Sequence, residues 1–201
     1  MVDANEGSVH PSIKDAVIYI ALFVVIVWGF TYVPTGWLEV LTAGSCSWVL
    51  RAFGLSSSWV SDSGNVWLQL LGEQGPITVT IIRECTAINV FAVVTGLTAP
   101  LRADIRRKGS AIAFSGVVLY LMNLSRITLT VFLTGFSFPP FSWFFTNPTI
   151  ELYHYPISFL YGVIGVALLV LMINSWFLPE LADVLLDVVD VMREGVLGRG
   201  R

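Results

Sequence analysis

The chain has 201 residues, of which 55% are hydrophobic and only 12% are charged, and its mean hydropathy is +0.77. A soluble domain carries about 25% charged residues, so this composition excludes an ordinary soluble protein and indicates an integral membrane protein. The formal net charge of −3 argues against a nucleic acid partner.

Four hydrophobic stretches are predicted to be membrane spans, because a helix needs about 17–25 apolar residues to cross a bilayer. They are Ala16–Val33, Thr86–Leu101 (short), Ala111–Phe136 and Pro156–Leu178. The first has a longer apolar run than a signal peptide and no clear small-residue cleavage site after it, so we expect a retained helix. The prediction is an all-α protein, with residues 1–201 forming one integral membrane domain, a polytopic transmembrane bundle of about four spans plus interfacial helices.

Lysine and arginine set the predicted orientation, because they concentrate in cytoplasmic loops. The connection 102–108 carries four of them and the C-terminal tail three, whereas segment 135–155 has none and the outer loop 34–84 only two. We therefore expect a multi-pass protein of the cell membrane. Its N-terminus, its 102–108 connection and its tail would be cytoplasmic, and the other two segments would lie outside.

The outer loop 34–84 is predicted to contain one helix. Leu38–Phe53 is apolar with tryptophans nearby, which suits an interfacial or re-entrant helix. Ser56–Gly64 is small and polar, as in a turn-rich surface segment. Thr78–Ile82 alternates threonine with aliphatic residues, which fits either an extended segment or the first turn of the second span.

Two further segments lie near the predicted membrane surfaces. A C-terminal amphipathic helix is predicted at 180–194, with apolar residues on one face and acidic residues on the other. Because an acidic face suits anionic lipid poorly, we expect this helix to pack on its own protein or to lie passively at the interface. Gly135–Pro148 holds six aromatic residues and three prolines, which fits either an interfacial anchor or an apolar groove that receives a substrate segment.

Arg126 lies inside the third predicted span, where a charged residue is unusual. A guanidinium keeps its proton there and is costly to bury unless it faces protein, water or a partner, so it marks a candidate functional site. It lies about seventeen residues, or roughly 25 Å, above the cytoplasmic end of the span, and therefore in the outer leaflet. Cys85 at the outer end of the second span and His154 just before the fourth lie at the same depth.

A thiol, an imidazole and a guanidinium at one level suit acyl transfer. A nearby cation lowers the pKa of a thiol and so favours the nucleophilic thiolate at Cys85. His154 would move the proton between thiol, leaving amine and incoming nucleophile. Arg126 cannot act as a base, so it would hold the thiolate or stabilise an oxyanion. Asn123, one turn below Arg126 on the same face, would orient it or donate a further hydrogen bond.

Each of these residues also has a structural interpretation. Cys85 would be a small buried hydrophobe, His154 an interfacial side chain, and Arg126 the partner of a carboxylate such as Glu84 or Glu151. In that case the protein is a non-enzymatic membrane scaffold or assembly subunit. A transporter that uses Arg126 is the weaker alternative, because the other spans lack polar residues at the membrane midplane.

The two cysteines, Cys46 and Cys85, leave a redox pair as a further alternative. Two cysteines without a CxxC motif exclude a disulfide framework and a cysteine zinc site. We predict neither a metal nor a cofactor.

Three short motifs occur in order along the chain: RECTA (Arg83–Ala87) at a helix start, NLSR (Asn123–Arg126) inside the next span, and His154 before the following one. Over roughly Arg83 to Pro156, this arrangement resembles the exosortase/archaeosortase family. These are multi-spanning membrane cysteine enzymes of bacteria and archaea, and many of them are longer, with more predicted spans.

The resemblance implies a role for each motif residue. Cys85 would be the nucleophile, Arg126 the catalytic arginine and His154 the third catalytic residue. Asn123, Glu84 and Thr86 are predicted to support them.

The resemblance also implies a function. Such enzymes recognise secreted proteins by a C-terminal signal that consists of a short motif, a hydrophobic helix and a basic cluster. They cut near the motif and pass the new C-terminus to a lipid or another anchor. We therefore expect a cysteine transpeptidase or protease whose active site faces the extracytoplasmic side. Its partners would be secreted substrate proteins and membrane lipid, the latter as solvent and candidate acceptor.

Overall fold

A computed structural model describes residues 13–73, 75–145 and 149–197, and over these ranges the chain forms seven α-helices and one small sheet. The helices are α1 (Ile13–Phe30), α2 (Gly36–Ala52), α3 (Ile88–Thr98), α4 (Ile105–Gly135), α5 (Ile150–Leu160), α6 (Val166–Trp176) and α7 (Glu180–Leu197). The strands are β1 (Ser57–Asp62), β2 (Asn65–Gly72) and β3 (Gly75–Ile81). A π-helical turn, Tyr161–Gly165, joins α5 to α6, so residues 150–176 form one long helix.

Two of the described helices are long and apolar enough to cross a membrane by length and composition, namely α4 and the continuous helix 150–176. Both expose large apolar side chains, including Leu121 on α4 and Phe159 on α5. The 18-residue helix α1 likewise exposes Val25 and Trp28. Extended apolar surfaces of this kind suit hydrocarbon better than water. They indicate a helical protein embedded in lipid.

The second predicted span is shorter in the structure than in the prediction. The helix α3 has only 11 residues, and at 1.5 Å per residue it is about 16 Å long, roughly half of a ~30 Å hydrocarbon core. It begins late because Arg83–Thr86 form a separate 3₁₀ turn and Ala87 has a left-handed φ of 60°. The number of spans therefore stays a prediction.

The prediction of an all-α fold is wrong in the outer loop, where the three strands form an antiparallel sheet in the order β1-β2-β3. The segment Ser56–Gly64 contains the strand β1, although its small polar composition is typical of a turn. Strand β1 forms because it pairs with β2, whose Val66, Leu68 and Leu70 alternate into the core. Of the two interpretations of Thr78–Ile82, the extended one is correct.

The sheet, α2 and α4 share one hydrophobic core. Its buried members come from α2 (Ala43, Cys46, Leu50), from the sheet (Val66, Leu68, Leu70, Ile81) and from α4 (Ile127, Val131). The predicted helix Leu38–Phe53 corresponds to α2 and packs against the sheet rather than standing alone. Together α2 and the sheet pack against the C-terminal half of α4.

The basic connection 102–108, which leads into α4, contacts the first turns of α1 and α7. Arg102 lies 2.7 Å from the carboxylate of Asp15 at the start of α1, and Arg107 lies 3.0 Å from Glu180 at the start of α7. A backbone N–H bond at the start of α7, together with Arg107, holds the pKa of Glu180 below its usual range. Leu181 of α7 is buried in a core with residues of α6. Of the two expectations for this helix, packing on its own protein is therefore the one observed.

Candidate active site

Cys85 lies in the 3₁₀ turn Arg83–Thr86, between β3 and α3. The backbone N–H of Cys85 donates to the carbonyl of Ile82 at 2.8 Å, and the hydroxyl of Thr86 donates to the carbonyl of Arg83 at 2.6 Å. The left-handed conformation of Ala87, costly by about 1–2 kcal/mol for a residue with a Cβ, separates this turn from α3. The thiol is therefore presented from a turn and not from inside a helix.

Arg83 fastens this turn to the end of α1. Its Nη1 donates to the carbonyl of Val33 at 2.9 Å and its Nη2 to the carbonyl of Phe30 at 2.6 Å. The last carbonyls of a helix have no intrahelical partner and carry partial negative charge, so a guanidinium suits them. Within the RECTA motif, Arg83 thus positions the turn that carries the thiol.

Arg126 is hydrogen-bonded on two sides, and both partners are neutral. Its Nη1 donates to the hydroxyl of Ser158 at 2.9 Å, and its Nη2 donates to Oδ1 of Asn123 at 3.0 Å. Both ion pairs found among the described residues lie at the 102–108 end of the molecule instead. Pairing with Glu84 or Glu151, the structural interpretation of this arginine, is therefore not observed within the described ranges.

Arg126 sets the direction of the hydrogen bonds on both sides, because arginine can only donate. Asn123 accepts through Oδ1, and its amide nitrogen then donates to the carbonyl oxygen of Cys85. Ser158 accepts through Oγ, which leaves its own proton for Nε2 of His154 at 3.4 Å. The result is one connected chain of polar groups that runs from His154 through Ser158, Arg126 and Asn123 to the backbone of Cys85.

The Cys85 thiol itself is not part of that chain. Asn123 donates to the backbone carbonyl of Cys85 and not to its thiol. Among the described residues, no hydrogen bond joins the thiol to the His154 ring. The half-buried Cys85 side chain packs beside the core that contains Cys46. Both cysteines are free, so the Cys46–Cys85 redox pair is not formed here. Burial raises the pKa of Cys46 to about 12, which keeps it a thiol.

A cleft of about 170 Å³ opens beside Arg126, between α3, α4 and the π-helical turn. Its polar wall consists of Glu84, Asn123, Arg126 and Ser158, and its remaining walls are mainly apolar. A guanidinium in such surroundings is poorly screened, so it attracts developing negative charge more strongly than it would in water. The cleft is therefore suited to holding an anionic or polarised group next to Arg126.

The position of Ser158 depends on how the long helix 150–176 is built. Pro156 lies inside α5, and the π-helical turn Tyr161–Gly165 follows it. Proline removes one helical hydrogen bond, and π-helical turns are frequent at functional sites. The hydroxyl groups of Ser125 and Tyr161, 3.1 Å apart, make a second bond between α4 and this region.

The structure thus brings Arg126, Asn123 and His154 together with the backbone of Cys85. The two remaining supporting residues have different positions: Glu84 lines the cleft, whereas Thr86 is buried and bonds within the Cys85 turn. The sequence analysis did not identify Ser158 as a polar contact of the site. Its spacing of four residues from His154 was the available signal, because residues four apart share a helix face.

We expect Ser158→Ala to lower the thermal stability of the protein. The substitution leaves a donor of Arg126 unpaired, which costs about 1–3 kcal/mol, or a few degrees in melting temperature for a chain of this size. Ser175→Ala is the matched control, because it removes an exposed hydroxyl from the same long helix. Thermal unfolding in detergent measures both variants, and equal melting temperatures would contradict a structural link through Ser158.

Comparisons with known proteins identify a family of transmembrane proteins that the chain matches. The model of the transmembrane exosortase family, Exosortase_EpsH, matches residues 13–148, a range that includes Cys85 and Arg126 and ends before His154. Archaeosortase A of Natronomonas pharaonis is 26% identical over 125 residues. The match covers 56% of this chain but only 39% of that relative's length. No solved structure matches the chain.

Proposed function

Because the chain belongs to the transmembrane exosortase family, we propose that it is a membrane-embedded cysteine peptidase or transpeptidase that processes C-terminal sorting signals of secreted proteins. Family membership confirms the resemblance seen in the sequence motifs. Together with the apolar surfaces of the helices, it also confirms the prediction of a helical membrane protein.

One observation carries the proposal: a continuous hydrogen-bonded chain links the backbone of Cys85 to His154 through Arg126. The three residues whose groups acyl transfer needs are therefore joined in one hydrogen-bonded cluster, and Arg126 of that cluster lines the cleft. The long contact between Ser158 and His154 is compatible with catalysis, because such bonds often tighten only when the substrate binds.

In the proposed reaction, the Cys85 thiol gives its proton to His154, and the resulting thiolate attacks the carbonyl carbon of the scissile peptide bond. The oxyanion that forms is stabilised by Arg126, which has five N–H donors and uses two of them in the contacts described above. Collapse of the intermediate breaks the C–N bond, and the leaving amine takes a proton from His154. The products are a thioester on Cys85 and the released hydrophobic tail.

A second nucleophile then resolves the thioester. His154 accepts the proton of the incoming group, which attacks the thioester carbonyl and regenerates the thiolate of Cys85. An amine or hydroxyl on a membrane lipid would make the reaction a transpeptidation or transfer, and water would make it a proteolysis. The new C-terminus is expected to pass to a lipid or another anchor.

The active site is proposed to face the extracytoplasmic side. Arg83 ties the Cys85 turn to the C-terminal end of α1, whereas the basic connection 102–108 binds Asp15 at the N-terminal end of the same helix. The positive-inside rule assigns the basic end to the cytoplasm. The turn with Cys85 is thereby assigned to the outer side, where secreted proteins arrive.

Mass spectrometry of surface-protein C-termini, in host cells with and without this protein, tests the proposal. We expect proteins that end in a hydrophobic helix and a basic tail to keep that tail only in cells that lack the protein. The mass of the mature C-terminus then identifies the acceptor or shows that it is water. Identical termini in the two strains would refute the proposed function.

A further inference from the structure

The register of the sheet identifies which backbone groups lie on the outer edge of β3. Gly72 pairs with Gly75 across a two-residue connection, and the closing pair of such a hairpin is hydrogen-bonded. Hydrogen-bonded and non-hydrogen-bonded pairs alternate along an antiparallel ladder, so the odd-numbered residues of β3 bond to β2. The backbone N–H and C=O groups of Thr78 and Thr80 therefore point away from β2, towards the unpaired side of β3. Pro76 adds a carbonyl at the same edge.

This outer edge has no backbone partner in the part of the chain that the structure describes. Within those ranges, the backbone hydrogen bonds of Gly75–Ile81 are confined to the ladder with β2. The side chains of Thr78 and Thr80 are exposed. The edge of β1 differs, because Nε of Arg51 donates to the carbonyl of Ser57 there at 2.6 Å.

The sequence of β3 does not protect this edge against pairing. Natural edge strands are usually blunted by charged residues, bulges or proline. The strand β3, GPITVTI, has no charged residue, and Pro76 interrupts only its first part. Its β-branched residues favour an extended, paired conformation. An uncharged edge of this kind is a template on which another extended chain can pair.

The strand β3 leads directly to the candidate nucleophile. Ile82 continues the extended conformation, with φ −113° and ψ 174°, and the 3₁₀ turn that carries Cys85 begins at the next residue. A peptide chain paired along β3 would therefore lie beside the segment that ends at the thiol. No such continuity exists for β1, which is separated from Cys85 by the two other strands.

We propose that the outer edge of β3 binds the sorting segment of the substrate as an added β-strand. This inference rests on the proposed function and names its recognition mode. The occupant is an extended peptide of the secreted substrate, held by main-chain hydrogen bonds to Thr78 and Thr80. Main-chain bonds provide the affinity in this mode, and alternate side chains provide the specificity. The pairing delivers the scissile region to Cys85.

Proline substitutions test the main-chain bonds directly. Thr78→Pro and Thr80→Pro each remove an outward N–H, and proline at such a position of an edge strand leaves the ladder with β2 intact. We expect each to lower the rate of C-terminal processing in host cells about fivefold or more, the factor that corresponds to one net hydrogen bond of about 1 kcal/mol. Mass spectrometry of substrate C-termini after a short pulse of synthesis measures that rate.

Two kinds of control accompany the proline variants. Thr78→Ala and Thr80→Ala remove the hydroxyl but keep the backbone N–H, so each should lose less processing than the proline variant at the same position. Ser61→Pro places proline at an outward position of β1 and should be nearly silent. Thermal unfolding in detergent checks that every variant folds.

Cys85→Ala, measured in parallel, separates the two proposals. If Cys85→Ala abolishes processing while Thr78→Pro and Thr80→Pro process at the wild-type rate, the edge proposal is overturned and the proposed function stands. If the alanine controls lose as much as the proline variants, side chains and not main-chain bonds are responsible, which also overturns it.

Photo-crosslinking gives a readout that does not depend on turnover. A photoreactive residue at Thr80, in the Cys85→Ala protein, should capture substrate proteins that still carry their hydrophobic tail, and the same residue at Ser61 should not. Capture of a second copy of this chain instead would mean that the edge joins two enzymes. Equal capture from both positions would mean that β3 has no special role. Either result would overturn the proposal. Because crosslinking uses no proline variant, this test remains available if a proline variant fails to fold.

Discussion

Replacing Cys85 by alanine is expected to abolish C-terminal processing while the protein still folds. Alanine offers no nucleophile, and loss of the nucleophile in a covalent mechanism lowers turnover by at least about 10⁴-fold. The structural cost is small because the turn is held by backbone groups that alanine keeps: the N–H of residue 85 bonds to Ile82 and its carbonyl to Asn123. Processing is measured by mass spectrometry of substrate C-termini and folding by thermal unfolding.

Cys46→Ala is the matched control for this substitution. Cys46 is fully buried in the core between α2, the sheet and α4, so its truncation should cost roughly 1 kcal/mol of stability and leave processing intact. The alternatives make different predictions. A silent Cys85→Ala would favour the membrane scaffold, and equal losses from the two cysteine variants would favour a redox pair.

Replacing Arg126 by lysine is expected to lower processing by about a hundredfold or more, although the positive charge is nominally retained. A lysine ammonium is a point charge on a flexible stem and does not reproduce the planar fork that bonds Ser158 and Asn123 together. Removal of a donor that stabilises an oxyanion costs about 10²–10³ in turnover. Arg126→Ala should lose as much activity, and it should also destabilise the fold, because it leaves both neutral partners without a donor.

Arg106→Lys is the control for the arginine substitution. Arg106 lies at the other end of α4 and is exposed, so this replacement should change neither processing nor melting temperature. The decisive comparison is between Arg126→Lys and wild type at equal expression. Full activity with lysine would mean that charge alone suffices, and the oriented chain from Cys85 to His154 would then have no catalytic role.

The assignments of the three proposed catalytic residues are supported by different observations. Cys85 and Arg126 lie within the range that the family model matches, and they also lie within one hydrogen-bonded cluster. His154 lies beyond that range, and its assignment depends on its position in α5 and on its contact with Ser158. His154→Ala is therefore the substitution that most directly tests the geometric argument, as distinct from the family match.

Several features were predictable from the sequence because they depend on local properties. Hydropathy placed the long helices near α1, α4 and 150–176, since a span is recognised by its own length and composition. The contact of Asn123 with Arg126 was predictable because residues three apart share a helix face.

Other features depended on tertiary contacts. The strand β1 looked like a polar turn, because what stabilises it is pairing with β2 and not its own residues. Arg83 was part of a recognised motif, yet its partners Phe30 and Val33 lie about fifty residues away in sequence. No local pattern specifies such a partner.

The sequence by itself determined the class of protein and the positions of the long helices, and it predicted that a thiol, a guanidinium and an imidazole lie at one level. These follow from hydrophobic length and helical periodicity, which are properties of consecutive residues. Only the tertiary structure decided that Ser158 and Asn123 link Arg126 to His154 and to the backbone of Cys85. It also decided that β3 leads to Cys85 and that its outer edge is unpaired by any described residue. The physical reason is that the direction of a hydrogen bond and the pairing of a strand are set by donors and acceptors from distant parts of the chain, which meet only after folding.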